Sequence, residues 1–384
     1  MKVCSVKSKT RSECCGCSVC QDVCPKSAIE MQTDLEGFEY PFVDEKKCID
    51  CGLCIKTCPT EINNLKNTNA ILKTVCGRYK DVEKLKNVSS GGLCNAVAEN
   101  FIKAGGVVYG AGYTDDFHQV KIVRISEIED LIKIRGSKYV QTLKHDGIYK
   151  ILKSDLKDGK SVLFIGLPCE VAGVRQFIGE HNKLYCIEII CSGVPSPQIH
   201  SQFSEYIEEI THSKITSFNY RKKQHGWHWP YVEIKSENQV VYNKSWSTMA
   251  LGYAFHALVR PSCHNCKFKG EYNKADITAG DFWGLKKTDQ RYNRNGVSAI
   301  IIRTEKGVGL IDKLNEFELY EATYAEIIAG NPRLHDCPIE NGKYKKFRHD
   351  FVKFGLIKAY RSNLTIKDFF KNCVMTIYSI LNFR

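Results

Sequence analysis

Eight of the nineteen cysteines fall into two runs with one spacing. Cys14-x-x-Cys17-x-x-Cys20-x-x-x-Cys24-Pro25 is repeated as Cys48-x-x-Cys51-x-x-Cys54-x-x-x-Cys58-Pro59. Thiolates at every third residue wrap one face of a [4Fe–4S] cubane, and the Pro-terminated turn carries the fourth thiolate to the other cluster. The spacing therefore predicts one cluster on Cys14, Cys17, Cys20 and Cys58. It predicts a second on Cys48, Cys51, Cys54 and Cys24. A zinc framework asks for two Cys pairs with a longer spacer, which is not the pattern here. Cys15 falls off the ligand positions and reads as a spare thiol. Gly16 and Gly52 fit the tight backbone such loops need.

Further candidates lie downstream. Cys169 and Cys191 each follow a short apolar run, Val162 to Leu167 and Ile187 to Ile190. They sit just beyond the carboxyl ends of predicted strands, where ligands collect in α/β sheets. Cys263-His-Asn-Cys266 alone suits zinc, redox or cluster chemistry. Joined with Cys169 and Cys191 it makes a four-thiolate site for a third [4Fe–4S] cluster. Ser89-Ser90-Gly91-Gly92 stands before a helical pattern, as either a Ser cap or an anion site for a cofactor phosphate. Gly136-Ser137-Lys138-Tyr139-Val140-Gln141 supplies a turn, a cation and an aromatic ring. That suits a flavin, or equally a surface loop running into a strand. Arg221 to Trp229 is basic and aromatic, with His225 and His228 as proton donors by residue type. Cys4, Cys76, Cys94, Cys186, Cys337 and Cys373 have no ligand spacing and read as buried or incidental thiols.

The elements that must position these groups follow from pattern. Residues 29–41 read as a hairpin with Gly37 near its turn. Residues 60–87, rich in Asn, read as a connector. A helix follows Gly92, then a strand from Val107, a helix over 147–157, a strand from Ser161, a helix from Val171 and a strand from Leu184. Continuous apolar strands alternating with helices imply a parallel or mixed sheet covered on both faces. The expected fold class is an α+β ferredoxin-like N-terminal domain followed by an α/β mixed-sheet, flavin-binding catalytic domain. The expected boundaries are residues 1–65, 66–340 and a basic helical tail over 341–384. The tail has an amphipathic face of Phe369, Phe370, Val374, Ile377 and Ile380, which is expected to pack on its own domain or a partner rather than on a membrane.

At 384 residues, 43% hydrophobic and 26% charged, the composition is that of an ordinary globular protein. The apolar runs are far shorter than a membrane span, and the polar start has no signal-peptide core. Many cysteines without a secretion signal argue for metal ligation in a reducing compartment, so the expected location is the cytoplasm. The formal charge of +12 is offset by anionic clusters and a flavin diphosphate. The remaining basic surface suits an acidic electron-transfer protein such as a ferredoxin. No nucleic-acid motif is present.

Taken in order, Ser89-Ser-Gly-Gly, Gly136-Ser-Lys-Tyr-Val-Gln, Gly166-Leu-Pro-Cys169-Glu170, Cys191-Ser-Gly-Val-Pro-Ser-Pro, Cys263-x-x-Cys266 and Gly280-Asp-Phe-Trp-Gly resemble the coenzyme F420 hydrogenase/dehydrogenase beta-subunit family, with a fused two-cluster ferredoxin domain. The resemblance spans roughly residues 10–335. It implies FAD held by Ser89 to Gly92 and by Gly136, Ser137, Lys138, Tyr139 and Gln141. It also implies electron transfer between a low-potential donor and a small organic acceptor, or the reverse as with reduced F420. Two motifs depart from the family's usual form: Leu167 and Glu170 stand for Thr and Gln, and Ser192 stands for His. A change of hydroxyl and imidazole near a flavin alters the acceptor or the proton donor. The rival reading is an electron-transfer subunit without a substrate of its own.

Overall fold

The computed structural model describes residues 6–61, 70–144, 147–270 and 272–365. Strands β1 (Ile29–Thr33) and β2 (Glu39–Val43) form the expected hairpin, with Ile29 opposite Val43. Short helices, Val19–Val23 and Leu53–Lys56, follow the first cysteines of each run. Val6, Cys20, Ile29, Val43 and Cys54 are buried together between them.

The body is an eight-stranded sheet in the order β13-β3-β12-β11-β7-β6-β4-β5. These strands are β3 (Lys73–Tyr79), β4 (Val107–Tyr113), β5 (Val120–Ile125), β6 (Val162–Gly166), β7 (Leu184–Ile189), β11 (Ile277–Asp281), β12 (Ser298–Ile302) and β13 (Phe317–Glu321). Between them in the chain, β8 (Ser217–Lys222), β9 (Tyr231–Ser236) and β10 (Gln239–Ser245) make a separate antiparallel sheet. β4, β6, β7 and β11 run parallel at the centre, with antiparallel strands at both edges.

The mixed sheet agrees with the apolar runs. Leu163 and Ile165 of β6 pack on one face with the helix Leu93–Lys103. Val162 and Phe164 pack on the other with the helices Ile148–Lys157 and Pro168–Ile178. A strand buried on both faces has no polar side, which is why these runs are continuous. Because β6, β7 and β11 are parallel, their carboxyl ends open on one edge, as expected for a ligand site.

Two expectations need correction. Residues 60–87 are not simply a connector: Lys73–Tyr79 pairs with both β12 and β13. Gly77 and Arg78 interrupt its apolar pattern, so the strand is hidden in the sequence. The helix after Ser89–Gly92 is not capped by a serine: its N-cap is Gly92, which makes no side-chain cap. Beyond residue 340 the chain packs on the body, in line with the expectation. The helices Lys345–Phe354 and Leu356–Asn363 bury Phe347, Phe351, Leu356 and Ala359 against Leu251, Ala254 and Phe203. The amphipathic face from Phe369 lies outside the described residues, as do Cys4 and Cys373. Among the described residues no helix is long and apolar enough to cross a membrane.

Candidate cluster and cofactor sites

The structure brings the twelve singled-out cysteines to three cavities. Cys14, Cys17, Cys20 and Cys58 line a cavity of ≈350 Å³, counting the solvent at its mouth. Cys24, Cys48, Cys51 and Cys54 line a second of ≈380 Å³. The crossing of the fourth cysteine between the runs is therefore present in the fold. Cys169, Cys191, Cys263 and Cys266 line a third of ≈590 Å³. Among the described residues no three Cys, His, Asp or Glu gather tightly enough to hold a single metal ion.

The first cavity is built against the large sheet. Gly16 has a φ of +68°, and a Cβ there would lie 2.6 Å from Gln141 Nε2 and 2.7 Å from Arg260 Nη1. Only glycine permits this approach. Tyr149 Oη donates to Cys17 O at 2.6 Å, and Tyr149 N donates to Asp22 Oδ2 at 3.0 Å. Cys17 and Val19 join the core of β4, β6 and their helices. Arg260, with none of its surface exposed, donates to Cys14 O at 2.8 Å, Glu39 O at 2.9 Å and Gln141 Oε1 at 2.9 Å. Gln141 Nε2 in turn donates to Cys15 O at 3.0 Å. Gln141, expected with the flavin group, is thus occupied at the first cysteine loop. Its buried amide is the only part of the Gly136–Gln141 motif drawn there by such bonds among the described residues.

The second cavity lies at the surface. Cys51 and the neighbouring Ile49 are exposed. Ala28 N donates to Cys24 Sγ at 3.3 Å, and Asp50 Oδ1 lies 3.6 Å from Cys48 Sγ.

The third cavity stands at the carboxyl edge of the sheet. Cys169 opens the helix Pro168–Ile178 directly after β6, and Cys191 follows β7. Cys263 lies on the turn Pro261–Asn265, whose amide at Cys263 donates to Arg260 O at 2.9 Å. Glu170, the family departure, is buried and holds Leu167 N at 2.9 Å. Lys144 Nζ, also buried, sits 2.8 Å from its other oxygen. The buried carboxylate is therefore matched by a buried cation, since a buried charge left unpaired is costly. Burial pushes the Cys263 and Cys266 thiols up to about 12. Cys169 is raised by its hydrogen bond with Cys15 and by burial. Loading such a site must therefore release protons.

Three residues at these cavities escaped the reading of the sequence. Cys15, off the ligand spacing, lines both the first and the third cavity. Cys337 accepts from Cys266 N at 3.2 Å through its sulfur. Arg260 was visible only as the residue before Pro261; nothing local announces a partner 246 positions away.

The flavin-directed segments meet in part. Ser89 Oγ and Ser137 Oγ lie 2.8 Å apart. Lys138 Nζ donates to the carbonyls of Lys133, Arg135 and Gly136 at 3.3, 2.9 and 3.3 Å, and burial lowers it to about 7. Tyr139 packs against Tyr220, Trp246 and Phe255. Ser90 Oγ is committed to Val297 O at 2.8 Å, and a Cβ on Gly91 would lie 2.1 Å from Gly77 O. That glycine is required by sheet packing irrespective of any ligand. Buried Lys223 donates to Leu85 O at 2.8 Å and Ser90 O at 2.7 Å, and burial lowers it to about 7. Nearby, Arg221 pairs with Asp281 at 2.7 Å and lies over the Trp283 ring. Asp281 Oδ1 and Gln224 Nε2 are buried without a hydrogen-bond partner. Of the basic-aromatic segment, Trp227 is buried and stacked on Trp283 at 4.9 Å, whereas Trp229 is 53% exposed. Burial lowers His228 from its usual value.

Comparison with known proteins adds two matched regions. Residues 159–326 match the family described as the C terminus of the coenzyme F420 hydrogenase/dehydrogenase beta subunit. Residues 13–62 match a 4Fe-4S dicluster domain. A coenzyme F420-dependent sulfite reductase of Methanocaldococcus jannaschii is 25% identical over 329 residues, 82% of this chain and 47% of the relative. The chain thus spans about half the length of that relative. An uncharacterised ferredoxin of the same organism is 39% identical over 77 residues, 20% of this chain and 88% of the ferredoxin. A chain of the solved F420-reducing [NiFe] hydrogenase complex of Methanosarcina barkeri aligns over 77% of this chain and 92% of its own, at 20% identity and TM-score 0.46. The chain thus joins a 4Fe-4S dicluster region to a region similar to the C terminus of the coenzyme F420 hydrogenase/dehydrogenase beta subunit, which relates it to iron–sulfur electron-transfer oxidoreductases.

Proposed function

We propose that this chain is an iron–sulfur flavoprotein that exchanges electrons between a low-potential protein donor and a small organic compound. In this reading Cys14, Cys17, Cys20 and Cys58 hold one [4Fe–4S] cluster, and Cys24, Cys48, Cys51 and Cys54 hold the second. Cys169, Cys191, Cys263 and Cys266 hold a third, and FAD lies along Ser89, Ser137, Lys138 and Tyr139. The observation that carries it is the third four-cysteine cavity, which shares Cys15 with the first. The flavin assignment is supported by Lys138 and Lys223, cations with carbonyl partners and no carboxylate at ion-pair distance among the described residues. A diphosphate would supply the missing negative charge, and the unpartnered Asp281 Oδ1 and Gln224 Nε2 would suit a ring with both donors and acceptors. When bound, clusters supply one-electron transfer and a flavin links it to two-electron or hydride chemistry. The chain's own part is to orient the cofactors, keep water from them and hold the counter-charges.

The test is anaerobic purification with iron, sulfide and acid-released flavin measured on one sample. The expected result is about twelve irons and about one FAD per chain. Eight irons without flavin would overturn both finer assignments. A second reading, a relay subunit without its own substrate, is favoured by the exposed second cysteine site, where Cys51 and Ile49 face solvent. Turnover of F420 or another small acceptor by the isolated holoprotein would eliminate it.

A further inference from the structure

We infer that Arg260 raises the reduction potential of the first N-terminal cluster above that of the second, giving two clusters of one sequence pattern unequal affinity for an electron. The inference rests on the reading of Cys14 as a ligand of that cluster.

Arg260 is fully buried. Its guanidinium donates to Cys14 O at 2.8 Å and approaches Cys14 Sγ at 3.6 Å. It lies 4.3 Å from the centre of the Tyr40 ring and 5.5 Å from that of Phe38. No carboxylate lies at ion-pair distance from it among the described residues, so its remaining partners are carbonyls of Cys14 and Glu39 and the amide of Gln141. A buried cation without a counter-ion is costly, and several kcal/mol of desolvation need an opposing charge. Among the described residues Cys14 Sγ lies 3.6 Å away and, with its cluster, supplies that charge. The cavity's other cation, Lys9, is ion-paired with Glu61.

Reduction adds one negative charge to a cubane. A cation and a hydrogen bond at a ligand sulfur favour the reduced form, and charge and sulfur hydrogen bonds are known levers on cluster potential. The second cavity shows no such buried cation among the described residues. Its Cys48 faces the exposed Asp50 carboxylate, and the lysines about it, Lys7 and Lys26, are likewise exposed and screened by water. The Arg260 carbonyl also accepts from the Cys263 amide, so the same residue stands between the first cavity and the third. The favoured site for an electron in the dicluster region is thereby the one facing the flavin-family domain.

The experiment is an EPR-monitored reductive titration of the full reconstituted chain, as wild type, Arg260→Gln and Arg260→Lys. Arg260→Gln is expected to weaken electron affinity at one cluster at least tenfold, a fall of about 59 mV for a one-electron couple. The second cluster's midpoint stays put, and Arg260→Lys, which keeps the charge with fewer donors, recovers part of the shift. If Arg260→Gln cannot be loaded, the wild type decides: the two N-terminal clusters titrate at least about 59 mV apart. Full iron with unshifted midpoints in Arg260→Gln, or one shared midpoint in the wild type, overturns the inference. Fewer than about eight irons in the wild type would instead overturn the ligand reading beneath it.

Discussion

The two cysteine runs share one spacing, yet the fold treats them differently. Cys17 and Cys20 are buried, and their loop is fastened by Arg260, Gln141 and Tyr149, all from the larger domain. Around the second run, Cys51 is exposed and the neighbouring Ile49 and Leu53 face solvent. A repeat duplicates ligands, not environments. The surface site suits exchange with a partner, and the packed site suits transfer inward.

The difference is sharpest in what each site loses with a ligand. Cys20→Ala opens a hole in the packed core between the hairpin and its helices. It is expected to cost all of one cluster, about four irons per chain. Cys51→Ala lies at the rim, where water can take the vacant position, and is expected to cost about one iron. Iron analysis with EPR distinguishes them, and equal losses would break the contrast.

The paired glycines sharpen it next. Gly16 and Gly52 have φ of +68° and +71°. Replacing either with alanine forces a left-handed side chain, costing ~1–2 kcal/mol. At Gly16 the Cβ also meets Gln141 and Arg260, adding ~1–3 kcal/mol of overpacking. Thermal unfolding of the holoprotein is expected to show the larger drop for Gly16→Ala.

Proton linkage gives a third contrast. Burial raises the Cys14, Cys20 and Cys58 thiols, and a hydrogen bond with Cys15 together with burial raises Cys17. Cluster binding requires the thiolates, so lower pH favours the empty site and higher pH the loaded one. The affinity of the first site is expected to keep rising from about pH 8 to about pH 10, above the ordinary cysteine range. In the second site burial raises the Cys54 thiol. Chelator competition at stepped pH reads both.

The smallest effect belongs to Tyr149→Phe, which removes the bond to Cys17 O at ~1 kcal/mol. It is expected to lower the melting temperature slightly and leave the second cluster's EPR signal unchanged.

What could be read from the chain follows from how local each signal is. The two runs, the hairpin and the apolar strands β6 and β7 are written in neighbouring residues, and the cysteine cavities follow from them. Strand β3 is hidden because Gly77 and Arg78 break its pattern. The clamp on the first cluster loop could not be read, because Arg260, Gln141 and Tyr149 meet it only through the fold. Gln141, expected with the flavin, shows the same limit: its motif looks continuous in sequence, but Tyr139 and Gln141 turn to different neighbours.

The central claim is that the carboxyl edge of the sheet holds a cluster of its own. Its most direct test compares iron and sulfide in the wild type with Cys263→Ala/Cys266→Ala, prepared side by side without oxygen. The account predicts about four fewer irons in the double variant, with both N-terminal cluster signals retained. Equal iron in the two proteins would contradict it.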